Sequence, residues 1–138
     1  MILNVESAIV QRLTQKVADV HIATADQLSE VSERQQVTPA LHVIYSGFSP
    51  TREIGQGTVQ EIESRWTIVI AIRSARRGGT KEKADTLFDS VISAISGFKP
   101  TASHAALKLS GSPGAQHVPG FSYYPIQFVT KETVRGNP

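Results

Sequence analysis

The block 63–98 constrains the fold more than any other part of the chain. It opens with a strand, Trp66-Thr67-Ile68-Val69-Ile70-Ala71-Ile72, passes through a basic loop, Ser74-Ala75-Arg76-Arg77-Gly78-Gly79, and ends in an amphipathic helix. Successive strand side chains point to opposite faces, so Trp66, Ile68, Ile70 and Ile72 share one face while Val69 and Ala71 take the other. Both faces need cover, which places this strand in the middle of its sheet. Beyond the loop, Ala84, Leu87, Phe88, Val91, Ile92, Ile95 and Phe98 recur at helical spacing, and Gly97 and Pro100 supply the stop. Thr80 is a candidate N-cap, with Lys83 where a capping box would place Glu, so only half of that pattern is present.

The remaining elements follow from periodicity. Val5, Ala8, Ile9, Leu13 and Val17 form the stripe of a four-turn helix with Asn4 as its cap. Val20-His21-Ile22-Ala23-Thr24 reads as a short strand. The segment 25–38 is polar, with only Leu28, Val31 and Val37 to bury, and reads as a loose helix or a mobile connection ended by Pro39. Ala40-Leu41-His42-Val43-Ile44-Tyr45 is a strand stopped by Ser46-Gly47, and residues 48–57, with Arg52 and Glu53, read as the long tip of a hairpin returning along 59–73. Ala105-Ala106-Leu107-Lys108-Leu109 reads as a short strand and residues 110–114 and 119–120 as an exposed loop. The last strand covers 121–130; Pro125 cannot donate to a ladder, which places it at an edge or a bulge. Residues 133–138 are expected to fray. The expected fold is α+β, a mainly antiparallel sheet with two long helices packed on one face, in a single domain spanning 1–138.

Composition removes several chemistries. The 138-residue chain has no cysteine, which rules out disulfides, thiol nucleophiles and thiolate metal sites. No apolar run approaches the roughly 20 residues of a membrane-spanning helix, and the first residues lack the layout of a signal peptide, so a soluble protein made and used inside a cell is expected. Fourteen Lys and Arg against twelve Asp and Glu leave a formal charge of +2, too small to indicate nucleic-acid binding by itself. The basic residues are nevertheless concentrated: Arg73, Arg76, Arg77, Lys81 and Lys83 form one local patch.

No constellation points to catalysis. His21, His42, His104 and His117 share no short spacing with one another or with a carboxylate, so no metal site is expected and local satisfaction of each ring is the plainer reading. Neither Ser46-Gly47 nor Ser110-Gly111 lies in a nucleophile elbow. Glu61 and Glu63 share a strand face, with Glu53 in the adjacent tip, but paired carboxylates on a hydrated strand end usually serve solubility. The loop 76–80 opens a helix and could present N–H groups and positive charge to an anion, yet it lacks the phosphate-loop pattern. A solvated connection, an anion contact and contact with an acidic neighbouring surface all remain open. Tyr45, Phe48, Phe121, Tyr123 and Tyr124 occupy strand positions in apolar surroundings, which favours core or interface packing over base stacking. A small nucleic-acid-binding module using the basic loop of residues 73–83 is the alternative.

Several features together resemble the tail terminator and tail-completion proteins of long-tailed bacteriophages: the N-terminal helix, the strand 39–45, the Arg65-Trp66 strand start, the loop 73–80 and the late Phe121-Ser122-Tyr123-Tyr124-Pro125 element. The resemblance implies a structural, non-enzymatic virion protein without a cofactor, assembled in the bacterial cytoplasm. It would form a homo-oligomeric ring, a hexamer, on the head-proximal end of the tail, with the tail tube protein and the head-tail connector as partners and DNA in the lumen. On that reading Phe48, Arg52, Glu53, Tyr123 and Tyr124 would be interface residues. Arg73, Arg76, Arg77 and Lys81 would face DNA or an acidic partner.

Overall fold

The computed structural model of the chain describes residues 2–28, 36–74 and 80–137. In chain order the elements are helix α1 (Ile2–Lys16), strand β1 (His21–Thr24), the helical turn α2 (Ala25–Leu28), β2 (Ala40–Ile54), β3 (Val59–Arg73), α3 (Thr80–Ile95), β4 (Lys108–Gly111), β5 (Gln116–Val118) and β6 (Phe121–Arg135). The strands form one six-stranded sheet in the order β1-β2-β3-β6-β4, with β5 also on β6.

This corrects the expected α+β layering of an antiparallel sheet beneath two long helices. Strand dominates, since β2, β3 and β6 are 15 residues each, whereas the helices of more than one turn number two among the described residues, of 15 and 16 residues. The sheet is also mixed, because β1 runs parallel to β2, His21 opposite Ala40 and Thr24 opposite Val43. A parallel neighbour needs a long crossover, and the connection from Thr24 to Ala40 is long enough to make one. That connection begins with α2; Val31 lies outside the described residues, Leu28 is half-buried and Val37 is exposed.

β3 is central, as its two apolar faces require. Trp66, Ile68 and Ile70 are completely buried and join Leu41 and Val43 of β2 and Ile126 and Phe128 of β6 in one cluster. The stripe Val5, Ile9 and Leu13 of α1, Val17 just after it, and the stripe Ala84, Leu87, Val91 and Ile95 of α3 complete it. Each such aliphatic side chain contributes about 1.5–3 kcal/mol on burial, so this cluster is the main source of stability. Arg12 ties the helices together: its Nε donates to the Ala94 carbonyl at 2.9 Å, and its guanidinium lies 5.0 Å from the Phe98 ring centroid.

The expected long hairpin tip is strand. β2 continues to Ile54 and pairs with β3 throughout, with register shifts between Tyr45 and Phe48 and between Pro50 and Arg52. Gly47, at φ 97°, occupies the first shift, where a side chain would also crowd the Arg65 guanidinium. Only residues 55–58 turn. Gly55 has φ 67°, and a Cβ there would stand 2.5 Å from Thr58 Oγ1, so the turn needs glycine. β6 runs alongside to Arg135, opposite Val59, and the Gly136 N–H donates to the Thr58 carbonyl at 2.7 Å. The first half of the segment expected to fray, residues 133–135, is therefore part of the third strand of a projecting arm.

Pro125 lies in an interior strand, between β3 and the β4/β5 margin. It is tolerated because β4 pairs with residues 127–129 and β5 with 121–123, so Pro125 faces the gap between them. Its carbonyl points into that gap and accepts from Ser112 Oγ at 2.6 Å. Since N and C=O of one strand residue face the same side, the missing N–H leaves no ladder bond unmade. The short strand expected over 105–109 begins later, at Lys108, and runs to Gly111, and β5 lies between the stretches 110–114 and 119–120 expected as an exposed loop.

Candidate functional site

The residues singled out in the sequence fall at two ends of the molecule. β3 starts in the arm at Val59 and ends at Arg73, and at about 3.3 Å per residue its ends stand roughly 45 Å apart. Phe48, Arg52 and Glu53 belong to the arm; Arg73 and Tyr123 lie at the other end, opposite Phe121 and Ala71 respectively.

The arm is polar on one face. Glu61 accepts from Thr51 Oγ1 at 2.9 Å and lies 3.7 Å from Lys131 Nζ, and Arg65 Nη1 donates to Ser49 Oγ at 3.1 Å. These cross-strand contacts explain why a segment with turn-prone residues stays extended. Arg52 and Glu53 are exposed, and the apolar side chains of Phe48 and Ile54 reach solvent beside them. Glu61 and Glu63 are thus part of a charged ladder facing water, with no converging acid–base pair.

The root of the arm holds a group that sequence reading missed. His104 is 5% exposed; its Nδ1 lies 2.6 Å from Thr101 Oγ1 and its Nε2 2.8 Å from Glu132 Oε2. Thr130 Oγ1 donates to the Ala105 carbonyl at 2.6 Å, and the Ala105 N–H to the Lys131 carbonyl at 2.8 Å. This set fastens the segment after α3 along β6. The separation of 104 from 132 in sequence offers no pattern by which to find it.

At the opposite end, the Arg73 guanidinium sits 5.1 Å from the Phe121 ring centroid, and the Ser74 N–H donates to the Gly120 carbonyl at 2.8 Å. Lys81 is exposed in the first turn of α3. Arg76 and Arg77, with the rest of the glycine loop, lie outside the described residues, and so does the Thr80 side chain proposed as a cap. The neighbouring Tyr123 and Tyr124 point to opposite faces of the sheet. Tyr124 packs edge-on against Phe88 of α3 and His117, at 5.7 and 6.0 Å between centroids. Tyr123 stacks on Phe121, lies near His42 and accepts a 2.6 Å hydrogen bond from Gln36 Nε2. A groove of about 490 Å³ lined by Val69, Tyr123, Pro125 and residues 113–116 opens on that face.

His42 is buried beside this aromatic group. Burial, and secondly the charge of His21, hold its pKa below the ordinary value of 6.5. Among the described residues no three His, Asp or Glu side chains converge as a metal site, and no helix is long and apolar enough to cross a membrane.

The chain thus has a firmly packed centre with a polar arm at one end and an aromatic cluster with Arg73 at the other. The chain matches the family model for phage tail terminator proteins over residues 2–138, essentially its whole length, and belongs to that family. Its role is therefore structural, in the phage tail. No curated protein matches the chain.

Proposed function

We propose that the protein caps the head-proximal end of the tail tube as a hexameric ring, ends tube polymerisation and offers its other surface to the head-tail connector. The observation that carries this reading is the family match over the whole chain, and the two-ended layout supports it. A terminator must address the tube on one side and the connector on the other. The arm with Phe48, Arg52 and Glu53 is suited to one of these contacts, and the end bearing Arg73, Tyr123 and Lys81 to the other. Arg76 and Arg77 belong with this second end by sequence, and the cluster would face DNA in the lumen or an acidic partner surface. Tyr124, packed on Phe88, would act by holding α3 in place. The reaction is assembly, with no chemical step.

The test is tube growth. Purified tail tube protein polymerising in the presence of the wild-type chain is expected to give tubes of limited length, each with a density at one end in electron micrographs. Uncapped tubes that lengthen as they do without the chain would overturn the proposal. Charge reversal of Arg76 and Arg77 is expected to leave tube capping intact and impair head joining; virions joined normally would remove the role given to the basic cluster.

A further inference from the structure

The sheet ends on both sides in backbone that no described strand covers. On one side β1 pairs with β2 only as far as Val43, so residues 44–54 present an open edge. On the other, β4 pairs with β6 and with no strand beyond it among the described residues. An open edge is a template for another chain. Here both margins also carry apolar side chains in solvent: Phe48 is 50% exposed, Ile54 56% and Leu109 44%.

Resting on the ring reading above, we infer that β4 of one copy adds to the open stretch of β2 in the next, so that the sheets of neighbouring copies run together around the ring. Strand polarity supplies the first reason. β2 and β6 both run antiparallel to β3, and β4 runs antiparallel to β6, so β4 points opposite to β2. Copies related head to tail by a rotation therefore bring β4 and β2 together antiparallel, the more stable pairing.

Level and face supply the second. Leu109 lies opposite Phe128, Phe128 opposite Trp66, and Trp66 opposite Tyr45, which sets β4 level with the start of the open stretch. β1 on one margin and β5 on the other block a flush approach at the foot of the sheet and push the incoming strand toward Ile54. A stagger of this kind is what closing a sheet on itself requires. Leu109, opposite Phe128, and Phe48, beside Val5, Tyr45 and Trp66, lie on the same helix-covered face, so the joined sheet continues that apolar face. Two-fold pairing of β2 with β2 would leave β4 open and could not build a ring.

The chain has no cysteine, so engineered pairs report without background. Leu109→Cys is combined in turn with Phe48→Cys, Pro50→Cys and Glu53→Cys, whose positions pair with Ser64, Ile62 and Gln60 on the same face as Leu109, and the assembled full chain is oxidised. One combination is expected to give a ladder of covalent oligomers ending at the ring number, with every single-cysteine variant uncrosslinked. Rings that form yet give no ladder with any pair would overturn strand addition and leave the ring reading standing. Covalent dimers from Pro50→Cys alone would reveal two-fold pairing and overturn it too. A chain that stays monomeric at every concentration and with short tail tubes added would overturn the ring reading and this inference with it. As a second variant, Ile54→Lys sits at an exposed position and is expected to weaken assembly at least tenfold with an unchanged circular dichroism spectrum; unaltered assembly would count against the inference.

Discussion

Replacing His104 by alanine tests whether the arm's root holds the molecule as its geometry indicates. The imidazole bridges Thr101 Oγ1 at 2.6 Å and Glu132 Oε2 at 2.8 Å, and the histidine and glutamate side chains are 5% and 11% exposed. Alanine removes a neutral hydrogen bond, about 1 kcal/mol, and one to a carboxylate, about 1.5–3 kcal/mol, and leaves the carboxylate largely buried without this partner. The expected loss is about 3 kcal/mol, equivalent to roughly 10 °C in Tm for a chain of this size. Urea unfolding followed by tryptophan fluorescence reads it, since Trp66 is the single tryptophan and is fully buried. Glu132→Gln, which keeps an acceptor, is expected to destabilise less. The double variant should show a coupling of about 1–3 kcal/mol. A loss under about 0.5 kcal/mol for His104→Ala, or strict additivity, would refute the idea that this pair fastens the segment after α3 to β6.

Arg12→Ala, which removes both the bond to the Ala94 carbonyl and the cation–π contact with Phe98, is expected to lower stability by about 1–2 kcal/mol in the same assay. Gly97 has φ 80° where α3 ends, so Gly97→Ala should destabilise by about 1 kcal/mol; no change would mean the turn tolerates a side chain. Because the His42 pKa is depressed in the folded chain, the unfolded chain binds its proton first as pH falls. The stability this histidine confers is therefore intact above the ordinary pKa of 6.5 and is lost as pH drops through the lower folded value. His42→Gln should flatten that part of the pH–stability curve, and an identical curve would refute the assignment.

What could be read from the chain was what burial imposes. The double-faced strand at 66–72 and the helical stripes of α1 and α3 are patterns that a core forces on the sequence, and the structure uses them as expected. The arm was not legible because Ser49, Pro50, Arg52 and Glu53 lie beside water, where no apolar alternation is required; their extended form comes from pairing with residues 59–64, which only the folded sheet provides. The direction of β1 was not legible either, since four strand residues look alike in a parallel or an antiparallel pair and the choice lies in the crossover. Pro125 misled for a related reason: proline excludes a donor on one side, and the gap between β4 and β5 meets that need within an interior strand. At the two ends, residue type marked Arg73 and the hairpin, whereas the link between His104 and Glu132 exists only once β6 is laid beside the segment after α3.

The most direct measurement is the mass of the purified chain in solution, by light scattering coupled to size exclusion across a concentration series and again with short tail tubes added. A species near six times the 14.9 kDa chain mass, free or bound at one end of each tube, is the expected result. A chain that remains a monomer under both conditions and leaves the tube ends bare would contradict the ring cap.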